Sequence, residues 1–200
     1  MPLERELKLT GILPDLEGVT EIAGFPLSFR RVERQTNTYF DTADLRLRGA
    51  GMSLRLRQLE GETGVYTWKG RSSVVDGWHA KSELEVSAGN ATGLEELCDP
   101  EILARVSSVA SMGELGARFS LKTVRRVFWL SDIGELALDE VSIFEHDDNI
   151  ADQFSELELE VKEEVSDADL ERVEAVLRAF PTLEPSQESK SARAARVLGR

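Results

Sequence analysis

Six stretches of this chain place charge on alternate residues, with apolar residues in the gaps. Glu4, Glu6 and Lys8 fall on one face of a predicted strand, and Leu7 falls on the other. The alternation recurs at Arg55/Arg57, Thr67/Lys69, Lys81/Glu83/Glu85, Glu135/Asp139 and Glu156/Glu158/Glu160. The residues between are Leu56, Trp68, Leu84, Leu136/Leu138 and Leu157/Leu159. A period of two predicts strands with one apolar face and one face of mixed charge.

The remaining pattern orders the elements. Leu3 to Leu9 reads as the first strand and Asp15 to Gly24 as a short helix, with Pro14 before it. Phe29 to Tyr39 is a polar strand, followed by turn chemistry at Asp41 to Asp44 and a small connector over Arg46 to Gly51. Met52 to Glu60 and Val65 to Lys69 form a hairpin around Gly61-Glu62-Thr63-Gly64. A loop through Asp76-Gly77 leads to the strand His79 to Val86. Thr92 to Val109 reads as helix. Phe119 to Leu130 and Glu135 to Phe144 form a second hairpin, and Ser155 to Glu163 is a strand. Asp167 to Phe180 is a helix capped by Ser166 or Asp167, with Leu170, Val173, Val176 and Leu177 on one side. Ser189 to Leu198 is a final helix.

About eight strands with helices between pairs predict an α+β domain, an antiparallel sheet closed into an eight-stranded barrel. Helices packed on its outside would cover the apolar faces, and the charges would line the lumen. Two hundred residues at 41% hydrophobic content suit one domain, residues 1–200. The net charge of -13, from 37 acidic and 24 basic residues, argues against a nucleic-acid partner. No apolar run approaches a membrane span. The chain enters a strand at once without an apolar leader, so a cytoplasmic protein is expected. Cys98 is the one cysteine and is expected to be a small buried hydrophobe.

A lumen holding so many ions is costly to bury and so points to function. Arginine forks and lysines bind phosphate oxygens, and clustered carboxylates bind hard divalent cations. Together they suit a polyphosphate with its metal ions. Crowded carboxylates should repel one another without metal. Glu6→Gln or Glu158→Gln is therefore expected to leave the metal-free protein folded and as stable or more so.

The chain resembles the CYTH superfamily, the triphosphate tunnel metalloenzymes. The likeness rests on Glu4-x-Glu6-x-Lys8, Tyr39-Phe40-Asp41-Thr42, Ser53-Leu54-Arg55-Leu56-Arg57, Thr67-Trp68-Lys69-Gly70 and Lys81-x-Glu83-x-Glu85. It continues through Arg125-Arg126, Leu136 to Glu140, Glu156-Leu157-Glu158 and Ser189-Lys190. Within that family it is most similar to the bacterial inorganic triphosphatases. Many of those carry a following helical domain, so this domain is expected to be able to form the N-terminal part of a longer protein.

The resemblance implies hydrolysis of tripolyphosphate to pyrophosphate and phosphate, with one or two Mg2+ or Mn2+ ions. It implies catalytic roles for Lys8, Arg57 and Glu83. Lys8, Arg55, Arg57, Lys69, Lys81, Arg125 and Lys190 would grip the triphosphate. Glu4, Glu6, Glu83, Glu85, Asp139, Glu156 and Glu158 would hold metal, with Glu135 and Glu160 at the rim. The family often has arginine where Lys81 stands. Parity does not choose between Arg125 and Arg126; the motif alignment favours Arg125. Tyr39 to Thr42 is read as structural, Arg46 and Arg48 as rim or solvent residues, and His79 as a tunnel-mouth or exposed histidine. Trp68 and Trp129 are read as core.

Other readings remain open. One is a class IV-type adenylate cyclase or a thiamine or nucleoside triphosphatase. Another is a non-catalytic polyphosphate-binding module. A monomer or homodimer is expected, acting on a small-molecule triphosphate with no membrane partner.

Overall fold

In the computed structural model, eleven strands join in one curled antiparallel sheet. The structure describes residues 3–71, 73–75, 78–145, 149–162 and 164–199, without the side chains of Leu3, Glu4, Val75 and Lys81. The expected ligands Glu4 and Lys81, the Asp76-Gly77 loop, Asp147-Asp148 and Glu163 therefore lie outside the described residues.

The strands are β1 (Leu3–Gly11), β2 (Glu21–Ile22), β3 (Phe25–Asp41), β4 (Ser53–Leu59), β5 (Gly64–Lys69), β6 (Ser73–Val75), β7 (Trp78–Gly89), β8 (Gly116–Leu130), β9 (Gly134–Phe144), β10 (Ile150–Val161) and β11 (Leu183–Pro185). The helices are α1 (Arg46–Gly49), α2 (Pro100–Ser107), α3 (Asp167–Arg178) and α4 (Lys190–Val197). The sheet order is β11-β1-β10-β9-β8-β3-β4-β5-β7-β6, with β2 on β3. β1 bonds to β10 along one edge, and to β7 and β11 along the other. Eight strands match those read from the sequence. The short β2, β6 and β11 are additional.

Two apolar clusters cover the outer face. Leu7, Leu9, Leu136, Leu138, Leu157 and Leu159 pack with Val173 and Leu177 of α3. Leu54, Leu56, Tyr66 and Trp68 pack with Ile102 and Val106 of α2. Burying each such side chain contributes about 1.5–3 kcal/mol.

A third cluster corrects the expectation that every helix packs outside. Leu121, Val141 and Phe154 share the inner face with Arg125, Asp139 and Glu156, by the period of two along β8, β9 and β10. These apolar residues pack with Tyr39, Phe119 and Ile143 against Ala194 and Ala195 of α4. α4 therefore covers one end of the inner face. Its alanines are small enough for the helix to approach the sheet closely.

Other departures have local causes. Asp15 to Gly24 forms no helix. Gly18 sits at φ 76, and Ala23 and Gly24 at φ 53 and 82 turn the chain into the β2–β3 hairpin. Leu16 and Ile22 of this stretch are buried in the outer core. Helix α2 begins only at Pro100, because the residue before a proline is driven to extended backbone. Asp99 takes that conformation and caps the helix through Oδ1, which accepts from Glu101 N and Ile102 N. Val176 is exposed on α3, where Leu170, Val173 and Leu177 form the buried stripe. Cys98 is exposed, just before the cap of α2, where no packing demands a hydrophobe. Trp68 is buried as expected; Trp129 is half-buried, with Lys162 Nζ 4.7 Å from its ring centre. Gly134 passes so close to β10 that a Cβ there would lie 1.9 Å from Glu160 O, which fixes the β8–β9 turn as glycine.

Candidate active site

The charged inner faces meet around a cavity of ≈ 530 Å³. Register fixes who faces whom. Across β3, β8, β9, β10 and β1 the partners include Glu33–Arg125, Arg125–Asp139, Asp139–Glu156, Glu158–Lys8 and Glu160–Glu6. Across β3, β4, β5 and β7 they include Asn37–Arg57, Arg55–Thr67, Thr67–Glu85 and Lys69–Glu83.

The carboxylates Asp139, Glu156 and Glu158 gather on β9 and β10. Arg125 holds Asp139 bidentately, Nε to Oδ1 at 2.8 Å and Nη2 to Oδ2 at 2.7 Å. Arg125 Nη2 also donates to Glu158 Oε2 at 2.5 Å. Lys8 Nζ donates to Glu158 Oε1 and lies 3.1 Å from Glu6 Oε2. Lys190, the first residue of α4, reaches all three acids: Asp139 Oδ2 at 2.9 Å, Glu156 Oε2 at 3.0 Å and Glu158 Oε1 at 2.6 Å. Ser189 sets this reach by capping α4, its Oγ accepting from Ala192 N.

These contacts tune the ions. Burial opposes the charged form of Glu158, but Lys190, Lys8 and Arg125 hold its carboxyl well below the usual range. Asp139 is depressed in the same way, by Lys190 and Arg125 against burial. Burial would lower the Lys190 ammonium, yet Asp139, Glu158 and Glu156 raise its pKa well above the ordinary value.

The opposite wall is cationic. Arg55 and Arg57 on β4 and Lys69 on β5 face Glu83 and Glu85 on β7. Lys69 Nζ lies 2.7 Å from Glu83 Oε2, and Arg57 Nη2 donates to Glu85 Oε1 at 3.1 Å. Arg57 is the under-compensated cation. Burial, with Arg55 and Arg125 nearby, outweighs Glu85 and Glu83 and lowers its pKa. The buried Nε atoms of Arg55 and Arg57 make no hydrogen bond, and neither do Asn37 Oδ1 and Thr123 Oγ1. A buried guanidinium short of partners is a site prepared for an anion.

The sequence-expected residues divide accordingly. Lys8, Arg55, Arg57, Lys69, Arg125 and Lys190 line the cavity, as do Glu6, Glu83, Glu85, Asp139 and Glu158. Glu156 is buried and joins them through Lys190. Glu83 and Glu85 stand among the cations instead of beside Asp139, Glu156 and Glu158. Arg125 faces the cavity, whereas Arg126 points away toward Glu140. His79 is buried, with Nε2 3.2 Å from Ser186 O, because β11 and the chain after it cover that end of β7. Arg46 is partly exposed and pairs with Asp44 and Glu114; Arg48 is exposed. Asp41 is structural: Oδ1 accepts from Leu47 N and Oδ2 from Arg48 N, holding α1.

Gln35, Asn37 and Thr123, which the sequence did not single out, also line the cavity, as does Tyr39, expected to be structural. Parity along β3 was the available signal, since Glu33, Gln35, Asn37 and Tyr39 alternate on one face.

The acids suit a hard divalent cation, which takes carboxylate oxygens. Asp139, Glu156 and Glu158 converge on a single cationic point, and buried Glu156 Oε2 meets the Lys190 ammonium at 3.0 Å without a well-aligned hydrogen bond. The donor set fits. Among the described residues no three acids stand grouped as a ready-made metal cluster, since Lys190 Nζ lies between them.

The family model for the CYTH domain matches residues 2–195. No curated protein sequence matches the chain. Solved structures are similar in fold. HpAC1 from Hippeastrum, a candidate adenylyl cyclase with a dominant triphosphatase activity, superimposes at TM-score 0.72 with 24% identity, over 96% of this chain and 95% of that one. A candidate adenylate cyclase from Bacillus halodurans gives 0.66 at 20% identity, over 96% and 98%. The Mimivirus capping enzyme triphosphatase gives 0.53 at 11% identity, over 88% and 90%.

Proposed function

Because the chain belongs to the CYTH domain family, we propose that it is a metal-dependent triphosphatase that cleaves tripolyphosphate to pyrophosphate and phosphate. The reading takes the eight long strands as a closed tunnel. The observation that carries it is the pairing of two walls across one cavity: the under-compensated Arg57 guanidinium beside Arg55 on β4, with the acids of β9 and β10 lining the same cavity.

In this reading Arg55, Arg57, Lys69 and Arg125 bind phosphate oxygens, and Lys8 and Lys190 add point charge, as Lys81 would. Asp139, Glu156 and Glu158, with Glu6 and Glu4, hold Mg2+ or Mn2+. The metal supplies charge neutralisation and activation of water when bound. Glu83 keeps Lys69 in place (2.7 Å), and Glu85 does so for Arg57 (3.1 Å). Arg57 neutralises charge that develops on the transferred phosphoryl group. The protein acts in the cytoplasm as a monomer or homodimer without nucleic-acid partners, in keeping with its net charge of -13. Among the described residues no helix is long and apolar enough to cross a membrane.

A second reading, an organic triphosphate as substrate, draws on a smaller cavity of ≈ 260 Å³ that shares Glu6, Tyr39, Ser53 and Lys69 with the tunnel. Its walls include the stacked Tyr39–Phe119 pair, Met52 and Leu45. Phosphate release from tripolyphosphate, ATP, thiamine triphosphate and pyrophosphate, each with Mg2+ and Mn2+, separates the two. The first reading predicts the highest kcat/KM for tripolyphosphate. A higher value for ATP or thiamine triphosphate, or cyclic AMP as product, supports the second.

A further inference from the structure

Lys190 occupies an unusual position for a residue at the start of a helix. Its Nζ has three carboxylate oxygens within 2.6–3.0 Å, from Asp139, Glu156 and Glu158. Those oxygens come from two adjacent strands and converge on one point, the geometry in which oxygen donors coordinate a cation. An ammonium and a divalent ion cannot share that point. Like charges a few ångströms apart in a poorly screened cavity repel strongly.

We infer that the Lys190 ammonium is a built-in stand-in for the metal, and that metal loading must expel it. This rests on the metal reading above. Expulsion has two structural consequences. It removes the ionic anchor of the first turn of α4, leaving the helix held by Ala194 and Ala195 on the inner apolar end and by Arg193 over Phe154, 4.1 Å from the ring centre. It also turns a neutralised lysine into a free cation beside the cavity, available to phosphate only after metal has entered. The order of loading, metal before triphosphate, is thereby written into α4. Holding the acids neutralised in the metal-free state also relieves the repulsion among them.

Two measurements test this without turnover. The first uses the native protein: hydrogen exchange of the α4 amides, residues 191–197, with and without Mn2+ and no substrate. Exchange there should rise on saturation with Mn2+. The second is Mn2+ affinity by electron paramagnetic resonance for the native chain and Lys190→Met. Without its competitor the ion should bind at least tenfold tighter to the variant. Unchanged or slower α4 exchange overturns the inference, as does equal or weaker affinity in Lys190→Met. If Mn2+ binds both forms equally, the stand-in role fails while the metal reading stands. If Mn2+ binds neither, both fail.

Discussion

Arg57 and Glu158 show how one lumen holds charges with opposite consequences for folding. The fold opposes the charge of Arg57, and burial is the leading cause. Arg57→Ala should therefore leave the melting temperature unchanged or raised. It should increase KM for the triphosphate roughly tenfold to hundredfold, the loss of a charge-assisted hydrogen bond of about 1.5–3 kcal/mol, and lower kcat as well, since charge that develops in the transition state loses its partner. Steady-state kinetics beside thermal melting checks both halves. Glu158 is the reverse. Its folded pKa lies well below 4.5, so its contribution to stability is present above about pH 4.5 and is lost as pH falls through the folded value. Because Lys8, Lys190 and Arg125 already neutralise this acid, Glu158→Gln should destabilise the metal-free protein, contrary to the expectation from the sequence. Breaking such a buried set costs about 3–5 kcal/mol, measurable by denaturant unfolding. Glu160 is exposed as a residue, yet partial desolvation of its carboxyl, with Glu6, Glu135 and Glu83 nearby, pushes its pKa up. A carboxylate whose folded pKa is raised destabilises once it ionises. Glu160→Gln should raise the melting temperature of the metal-free protein at pH 7, and a fall would contradict the crowding.

At the scale of elements, strands were legible and helices less so. A period of two survives in β1, β4, β5, β7, β9 and β10 because both faces are strongly specified, one by core leucines and one by ions. The stretch from Asp15 to Gly24 misled because its apolar residues serve a β-hairpin, and Thr92 to Val109 because Pro100 sets a boundary inside an apolar pattern. α4 was read as a helix, but its place inside the sheet was not. Small alanines at 194 and 195 carry little signal until the inner apolar residues Leu121, Val141 and Phe154 are seen to need a cover. Ala194 is fully buried, so Ala194→Leu should overpack the contact and cost about 1–3 kcal/mol. If α4 moves outward, tripolyphosphate KM should rise as well. A variant with native stability and native KM would show that α4 is loosely held. Asp99→Ala tests the corrected start of α2, with an expected loss of about 1 kcal/mol.

At the scale of the whole molecule, a net charge of -13 is compatible with the proposed anionic ligand because cations are gathered at the cavity. Arg55, Arg57 and Lys69 share one inner wall with Glu83 and Glu85, and the acids on the other are neutralised by Lys8, Arg125 and Lys190. The sequence carried most of the site because ionic residues at alternate positions are rare in ordinary sheets. It did not carry the division of acids into two groups, Asp139/Glu156/Glu158 and Glu83/Glu85, which depends on which strands face each other. Nor did it single out Gln35, Asn37 and Thr123, whose neutral side chains break no rule of patterning. In the proposed function the acids of β9 and β10 act through a divalent ion on a bound triphosphate. The most direct measurement is phosphate release from tripolyphosphate on one sample, first with Mn2+ or Mg2+, then in excess EDTA, then with the ion restored. Turnover, its abolition and its return are expected in that order, with the melting curve of the chelated protein still cooperative. Turnover that persists in EDTA, or none with either ion, contradicts the proposed function.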